Sequence, residues 1–122
     1  MAQTIQIQPA GAFSVAHVPG AAAQATITKA AAGAGVRLIC NAVTVSVACA
    51  ATAQTPIVAQ LLDGATVVWA VQLACPANDC RVVAAEGLSL FGSANTAMTL
   101  QFTGAGVAGS FLTVTLTGYV ES

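Results

Sequence analysis

The chain has 122 residues, enough for one domain with its own hydrophobic core. Hydrophobic residues make up 57% of it and charged residues only 6%, whereas an ordinary soluble domain carries about 25% charged residues. The net charge is −1 and the basic residues are Lys29, Arg37 and Arg81, too few for the cationic cluster that nucleic acids require. We therefore expect no nucleic-acid partner, and a surface that other protein subunits cover.

The uncharged stretch from Leu38 to Leu62 is long enough to span a membrane as a helix. Its apolar residues alternate with polar ones, however, and a period of two is typical of strands. Met1 to Val15 lacks the basic region and the continuous apolar region of a signal peptide, so we expect none there. The sequence therefore predicts a protein without a membrane partner.

The N-terminal part of the chain is punctuated by proline and glycine. Thr4 to Gln8 alternates, which predicts a first strand or an extended arm, and Pro9 to Gly20 is interpreted as a loop. We predict an N-terminal extended arm over 1–20 and a single β-sandwich domain over 21–122. Within that domain, Ala23 to Lys29 is the first predicted strand.

The longest strand is predicted over Val36 to Ala50, after the glycine-rich loop Ala30 to Gly35. The residues predicted on its buried face are Ile39, Val43, Val45 and Val47. Those on the opposite face are Ala42, Thr44 and Ser46. This pattern is typical of a half-buried strand in an antiparallel sheet.

Asp63 and Gly64 form the strongest local hairpin signal in the sequence. They are the predicted turn between strands Thr55–Leu62 and Ala65–Leu73. Trp69, on the buried face of the second strand, is the predicted core anchor. The pairs that this turn predicts are Leu62–Ala65, Gln60–Val67 and Val58–Trp69.

Four further strands are predicted, at Arg81–Ala85, Leu88–Phe91, Met98–Thr103 and Ser110–Glu121. The inward residues of the last two are Met98, Leu100, Phe102, Leu112, Val114, Leu116 and Val120. The outward residues of the last strand are Phe111, Thr113, Thr115, Thr117 and Tyr119, typical of a partly exposed or threonine-lined interface. About eight short strands predict an all-β, antiparallel β-sandwich that is jelly-roll-like. An immunoglobulin-like strand order stays open, because alternation does not encode strand order.

No combination of residues predicts catalysis. His17 is the only histidine, and no nucleophile motif accompanies it in its predicted loop. Gly33 to Gly35 lacks the lysine of a phosphate-binding loop. The carboxylates, which are not spaced as an acid–base pair, belong to Asp63, Asp79, Glu86 and Glu121. We predict that the protein is not an enzyme, with no catalytic residue, no cofactor-binding residue and no cofactor.

The four cysteines are Cys40, Cys49, Cys75 and Cys80. Their spacing differs from the short CxxC motifs of structural zinc sites, so no metal site is predicted. Cys75 and Cys80 flank the turn-forming tetrapeptide PAND, which brings them within reach of a disulfide. Free thiols are an equal alternative for a protein made in the cytoplasm.

Four segments from Arg37 onward carry a resemblance to a known class of protein. They are VTVSVACAATAQTPIVAQLLDG, VVWAVQLACP, GSANTAMTLQFTGAGVAG and FLTVTLTGYVES. In style and order these segments resemble small structural proteins of tailed bacteriophages. The better understood members of that group are capsid decoration, or cement, proteins.

The resemblance implies a β-sandwich homotrimer that binds the outer surface of the major capsid protein lattice and stabilises the head. It also implies a location on the capsid surface of the virion, after synthesis in the host cytoplasm. An alternative is a phage tail, fibre or head-spike component that binds a host surface glycan, although an inward Trp69 disfavours it. The remaining alternatives are an enzyme acting through His17 and an exported β-barrel or adhesin subunit.

Overall fold

The computed structural model describes residues 11–122, which form two antiparallel β-sheets packed face to face. The strands are β1 Phe13–His17, β2 Thr26–Lys29, β3 Arg37–Ala48, β4 Gln54–Asp63, β5 Thr66–Cys75, β6 Cys80–Ala85, β7 Leu90–Phe91, β8 Met98–Phe102 and β9 Phe111–Glu121. The predicted antiparallel β-sandwich is therefore confirmed. The strand predicted at Thr4 to Gln8 lies outside the described residues.

The strand order of the two sheets is that of a jelly roll. One sheet runs β1-β9-β3-β6, with β7 also paired to β3, and the other runs β2-β8-β4-β5. The antiparallel pairs are nested along the chain: β4 with β5, β3 with β6, β2 with β8, and β1 with β9. A chain paired in this way is one long hairpin wound around the sandwich, which is the jelly-roll arrangement.

The first strand, β1, corrects the predicted loop over Pro9 to Gly20. It pairs with β9 along its whole length, and its Phe13 and Val15 pack against the core. Prolines and glycines on both sides obscured an alternation that lasts only five residues. The sandwich therefore includes residues that the predicted domain boundary at residue 20 assigned to the arm.

The core between the sheets is aliphatic. Its fully buried side chains include Leu38, Val43, Val45, Val47, Leu61, Met98, Leu100, Phe102, Leu112, Val114 and Leu116. Each buried valine or leucine contributes about 1.5–3 kcal/mol to folding by leaving water. The predicted inward faces of β8 and β9 are confirmed by this burial, and one aromatic ring, Phe102, lies among them.

A β-bulge between Cys40 and Ala42 corrects the predicted face of Ile39. The extra residue on β3 reverses the alternation on its N-terminal side. Ile39 therefore pairs with Tyr119 and Phe91 on the outer face of the sheet, although it is fully buried. Sequence alternation alone does not reveal where one strand carries an additional residue.

The turn between β4 and β5 lies at Gly64–Ala65, one residue later than predicted. Asp63 stays in the strand, where its Oδ2 accepts hydrogen bonds from the Ser93 amide at 3.0 Å and the Ser93 hydroxyl at 2.7 Å. Gly64 takes the positive φ of 60° that the turn requires. The predicted pairs are wrong, and the observed ones are Asp63–Thr66, Leu62–Val67, Leu61–Trp69 and Gln60–Ala70.

Gly118 permits the close approach of β9 to β3 beside the bulge. A Cβ at this position would meet the Ile39 carbonyl oxygen and the Phe13 ring. We expect Gly118→Ala to lower the free energy of unfolding by about 2 kcal/mol through overpacking, measured by urea denaturation. Gly104→Ala is the matched control, because its Cβ would meet nothing within 4 Å. Equal stabilities of the two variants would contradict this packing.

Candidate functional site

The outer face of the β1-β9-β3-β6 sheet is lined by small hydroxyl side chains. We call it the hydroxyl face, and its residues are Ser14, Thr44, Ser46, Thr113, Thr115 and Thr117. The register places Thr44 beside Thr115 and Ser46 beside Thr113. Alternation explains the face, because the intervening residues of β3 and β9 point into the core.

Hydrogen bonds between strands hold several of these hydroxyls in place. The hydroxyl oxygens of Ser14 and Thr117 lie 3.2 Å apart, and those of Ser46 and Thr113 form a short hydrogen bond. Each bond restricts two side chains and leaves further lone pairs available to a partner. The face is therefore ordered before anything binds, which lowers the entropy cost of docking.

Exposed apolar side chains border the hydroxyl face. Phe111 is 47% exposed at one end, and Phe91 is 53% exposed at the other. Val82, on the edge strand β6, is 62% exposed and pairs with Ser46. Exposed apolar side chains at both ends of a sheet face are candidates for contact with another molecule.

Charged side chains in the described part of the chain lie around this face rather than across it. The Arg37 and Glu121 side chains form an ion pair at 2.5 Å beside Phe91, and the guanidinium lies 4.7 Å from the ring centroid. Near the opposite end, Arg81 donates a hydrogen bond to Asp79, which lowers the pKa of that carboxyl. The hydroxyls between these two pairs form an uncharged surface.

The outer face of the second sheet is also uncharged within the described residues, but its chemistry differs. Its polar side chains are Thr26, Thr28, Gln60, Gln72, Thr99 and Gln101. Gln101 pairs with Thr26 on one side and Gln60 on the other. This glutamine face has no aromatic side chain, so the first sheet presents the stronger candidate site.

Trp69 and His17, which stand out in the sequence, both make contacts within the sandwich. Trp69 is half-buried and packs against the core, so it lies on neither outer face. His17 Nδ1 accepts a hydrogen bond from the Thr26 amide at 3.1 Å, which connects β1 to β2 in the other sheet.

Over residues 11–122, no group of three or more histidine, cysteine or acidic side chains is placed to hold a metal ion. The same residues contain no helix that is long and apolar enough to cross a membrane.

The four cysteines are free thiols in different surroundings. Cys40 and Cys75 are buried, Cys49 is half-buried and Cys80 is exposed. Burial raises the pKa of the Cys40 thiol from 9.0 to about 11. Cys75 points into the core, whereas Cys80 pairs with Ala48 on the outer side of the sheet. A disulfide between Cys75 and Cys80 stays a prediction.

The sequence indicated the separate rows of the hydroxyl face but not their arrangement. Alternation put Thr113, Thr115 and Thr117 on one side of β9, and Thr44 and Ser46 on one side of β3. That the two rows are neighbours depends on strand pairing, and so does the position of Phe91. The signal for this pairing in the sequence is that β3 and β9 are both long, alternating strands of similar length.

Comparisons with known proteins add little to this picture. Neither a family model nor a curated protein matches the sequence. Among solved structures, the chain is similar to a carbohydrate-binding module, CBM36, in complex with calcium and xylotriose. The TM-score is 0.37 at 12% sequence identity, over 93% of this chain and 91% of that chain. A likeness this distant carries no argument about function.

Burial predicts a large difference in reactivity between Cys40 and Cys80. At pH 8, Cys40 should react with iodoacetamide at least about 100-fold more slowly than an unperturbed thiol, because its raised pKa leaves little thiolate. Cys80 is exposed and should be labelled first, as followed by peptide mass spectrometry. Unfolding in urea should remove the difference. Labelling of Cys40 as fast as Cys80 in the folded protein would contradict the structure.

Proposed function

We propose that this chain is a structural subunit of a virus particle, a decoration or cement protein that docks on the major capsid lattice through the hydroxyl face. The observation that carries the proposal is an uncharged, hydrogen-bonded face bordered by exposed Phe91, Phe111 and Val82. Covering such a surface with a partner is favourable, because it removes the exposed apolar side chains from water. The resemblance to phage structural proteins is the reason for naming a capsid as the partner.

The size of the face supports attachment by many copies. Strands β3 and β9 have 12 and 11 residues, which makes the face roughly 35 Å long and roughly 15 Å across four strands. Its area is on the order of 500 Å², below the roughly 800 Å² that each partner contributes to a standard interface. One copy would therefore bind weakly, and linked copies would bind firmly.

A homotrimer fits this requirement and forms part of the proposal. Three hydroxyl faces held in one trimer would bind the lattice together, so that dissociation requires all three to release. The uncharged glutamine face and the sheet edges remain for contacts between copies. The jelly roll is found in viral capsid and lectin domains alike, so the fold does not decide between these roles.

One observation favours a second candidate, a tail or head-spike component that binds a host glycan. The exposed Phe91 ring lies beside the Arg37–Glu121 ion pair at one end of the outer face, and Tyr119 lies on the other side of Ile39. An aromatic surface next to polar and charged groups suits a sugar ring and its hydroxyls. An inward Trp69 does not exclude such a site, because Phe91 and Tyr119 come from β7 and β9.

The capsid proposal predicts a high copy number in purified particles. Quantitative mass spectrometry should find this chain near one to one with the major capsid protein, or at a simple lattice fraction of it. A handful of copies per particle would favour the tail or spike candidate. Absence from particles would overturn the structural role.

Thr115→Lys tests the docking face within the same prediction. A lysine at the centre of the hydroxyl face would be buried without a partner, so binding to undecorated particles should weaken by at least about 100-fold. Gln72→Lys on the glutamine face is the control and should bind as the parent does. Urea unfolding of both variants separates lost docking from lost folding. Equal binding by both variants would exclude the hydroxyl face as the docking surface.

The glycan candidate makes a separate prediction for Phe91. If that ring stacks on sugar, Phe91→Ala should weaken binding of host surface polysaccharide at least about 10-fold in isothermal titration calorimetry. Val82→Ala removes an exposed apolar side chain elsewhere on the sheet and serves as the control. Absence of binding heat with the parent protein would rule out this candidate for that polysaccharide.

A further inference from the structure

Three of the four cysteines lie at the end of the sandwich where the chain crosses from β5 to β6. Cys49 directly follows β3, and Cys75 is the last residue of β5, so the two belong to different sheets. Val47 and Leu73, two residues before each of them, are core residues. By alternation both cysteines point into the sandwich, and both pack against the core.

Backbone contacts hold this end of the sandwich closed. The Cys49 amide donates to the Asp79 carbonyl at 2.8 Å, and the Asn78 amide donates to the Ala50 carbonyl at 2.6 Å. The Cys49 Sγ lies 3.9 Å from the carbonyl oxygen of Cys75. The Cys75 Sγ lies 3.4 Å from the carbonyl oxygen of Pro76. Burial raises the pKa of Cys75, and the neighbouring Cys49 thiol raises it further.

We propose that Cys49 and Cys75 are an oxidisable pair that closes to a disulfide linking the two sheets, with a low-molecular-weight disulfide such as oxidised glutathione as the oxidant. This inference is independent of the proposed capsid function. It assigns Cys75 a partner across the sandwich rather than Cys80, which faces outward beside Ala48. The Cys49 sulfur already lies against the Cys75 backbone, so little backbone movement is needed to meet the geometry of a disulfide.

The chemistry is two successive exchanges. Cys49, the more exposed of the two, loses its proton and attacks one sulfur of oxidised glutathione, which forms a mixed disulfide and releases one glutathione thiol. Cys75 then loses its proton and attacks the Cys49 sulfur, which forms the Cys49–Cys75 bond and releases the second glutathione. The two protein thiols are oxidised, and one glutathione disulfide is reduced to two thiols.

The bond would close a loop between positions 26 residues apart. In the chain-entropy model, a loop of this size restricts the unfolded chain strongly. The bond would also join β3 to β5. At that end of the sandwich, the chain crosses from one sheet to the other through the loop 76–79. The pair would stay reduced in a cytoplasm and close in an oxidising compartment.

Cleavage at aspartate identifies the linked cysteines. The full chain is treated with oxidised glutathione, its remaining thiols are alkylated, and it is cut before Asp63 and Asp79 to give fragments 1–62, 63–78 and 79–122. We expect 1–62 linked to 63–78, because these hold Cys49 and Cys75. A link between 63–78 and 79–122 would show Cys75–Cys80 instead. That result, or free Cys75 after exhaustive treatment, would overturn the proposal.

Two variants complete the test, and neither changes a fully buried side chain. Cys80→Ser should retain the link between 1–62 and 63–78, and Cys49→Ser should lose it. Persistence in Cys49→Ser would identify Cys40 as the partner and overturn the proposal. In differential scanning calorimetry, oxidation should raise the Tm by about 10 °C in the parent and in Cys80→Ser. Cys49→Ser should show no such rise, and a linked parent with an unchanged Tm would contradict the proposed stabilisation.

Discussion

The antiparallel pairing of β3 with β9 is the interaction on which the rest of this structure depends. Their eleven register pairs run from Arg37–Glu121 to Ala48–Phe111. On the inner side, valines and leucines of the two strands supply one wall of the core. On the outer side, the same pairing assembles the hydroxyl face. One set of backbone hydrogen bonds therefore fixes both the packing and the surface, and β1, β6 and β7 add to this central pair.

Alternation predicted the type of structure and most of the buried residues because each long strand is buried on one side. The inward residues of β8 and β9 could be predicted for this reason, and so could the threonines on the other side of β9. Alternation does not show which strands pair with each other in the folded protein. A strand as short as β1 gives too few periods to stand out between glycines and prolines, and an extra residue at the bulge in β3 moves Ile39 to the other face.

The candidate site was harder to predict than the core because it is made by neighbours that are distant in sequence. Ser46 and Thr113 are 67 residues apart, and Ser14 and Thr117 are 103 residues apart. Aromatic Phe91 reaches the face only because the short β7 pairs with β3 on the edge away from β9, beyond the end of β6. The turn at Asp63 shows the same limit, since the contact with Ser93 that keeps this residue in the strand comes from a remote loop.

The few charged side chains in the described residues lie on edge strands and at strand ends, so the two sheet faces are uncharged. Lys29 lies on the edge strand β2, with its ammonium 5.3 Å from the Phe13 ring, and Arg81 lies on the edge strand β6. A charge on an edge strand discourages uncontrolled pairing with another chain. The ten residues of the edge strand β5 include none that is charged. Both sheet faces therefore present hydroxyl and amide groups, whose weaker hydration makes a neutral face easier to cover with another molecule than a charged one.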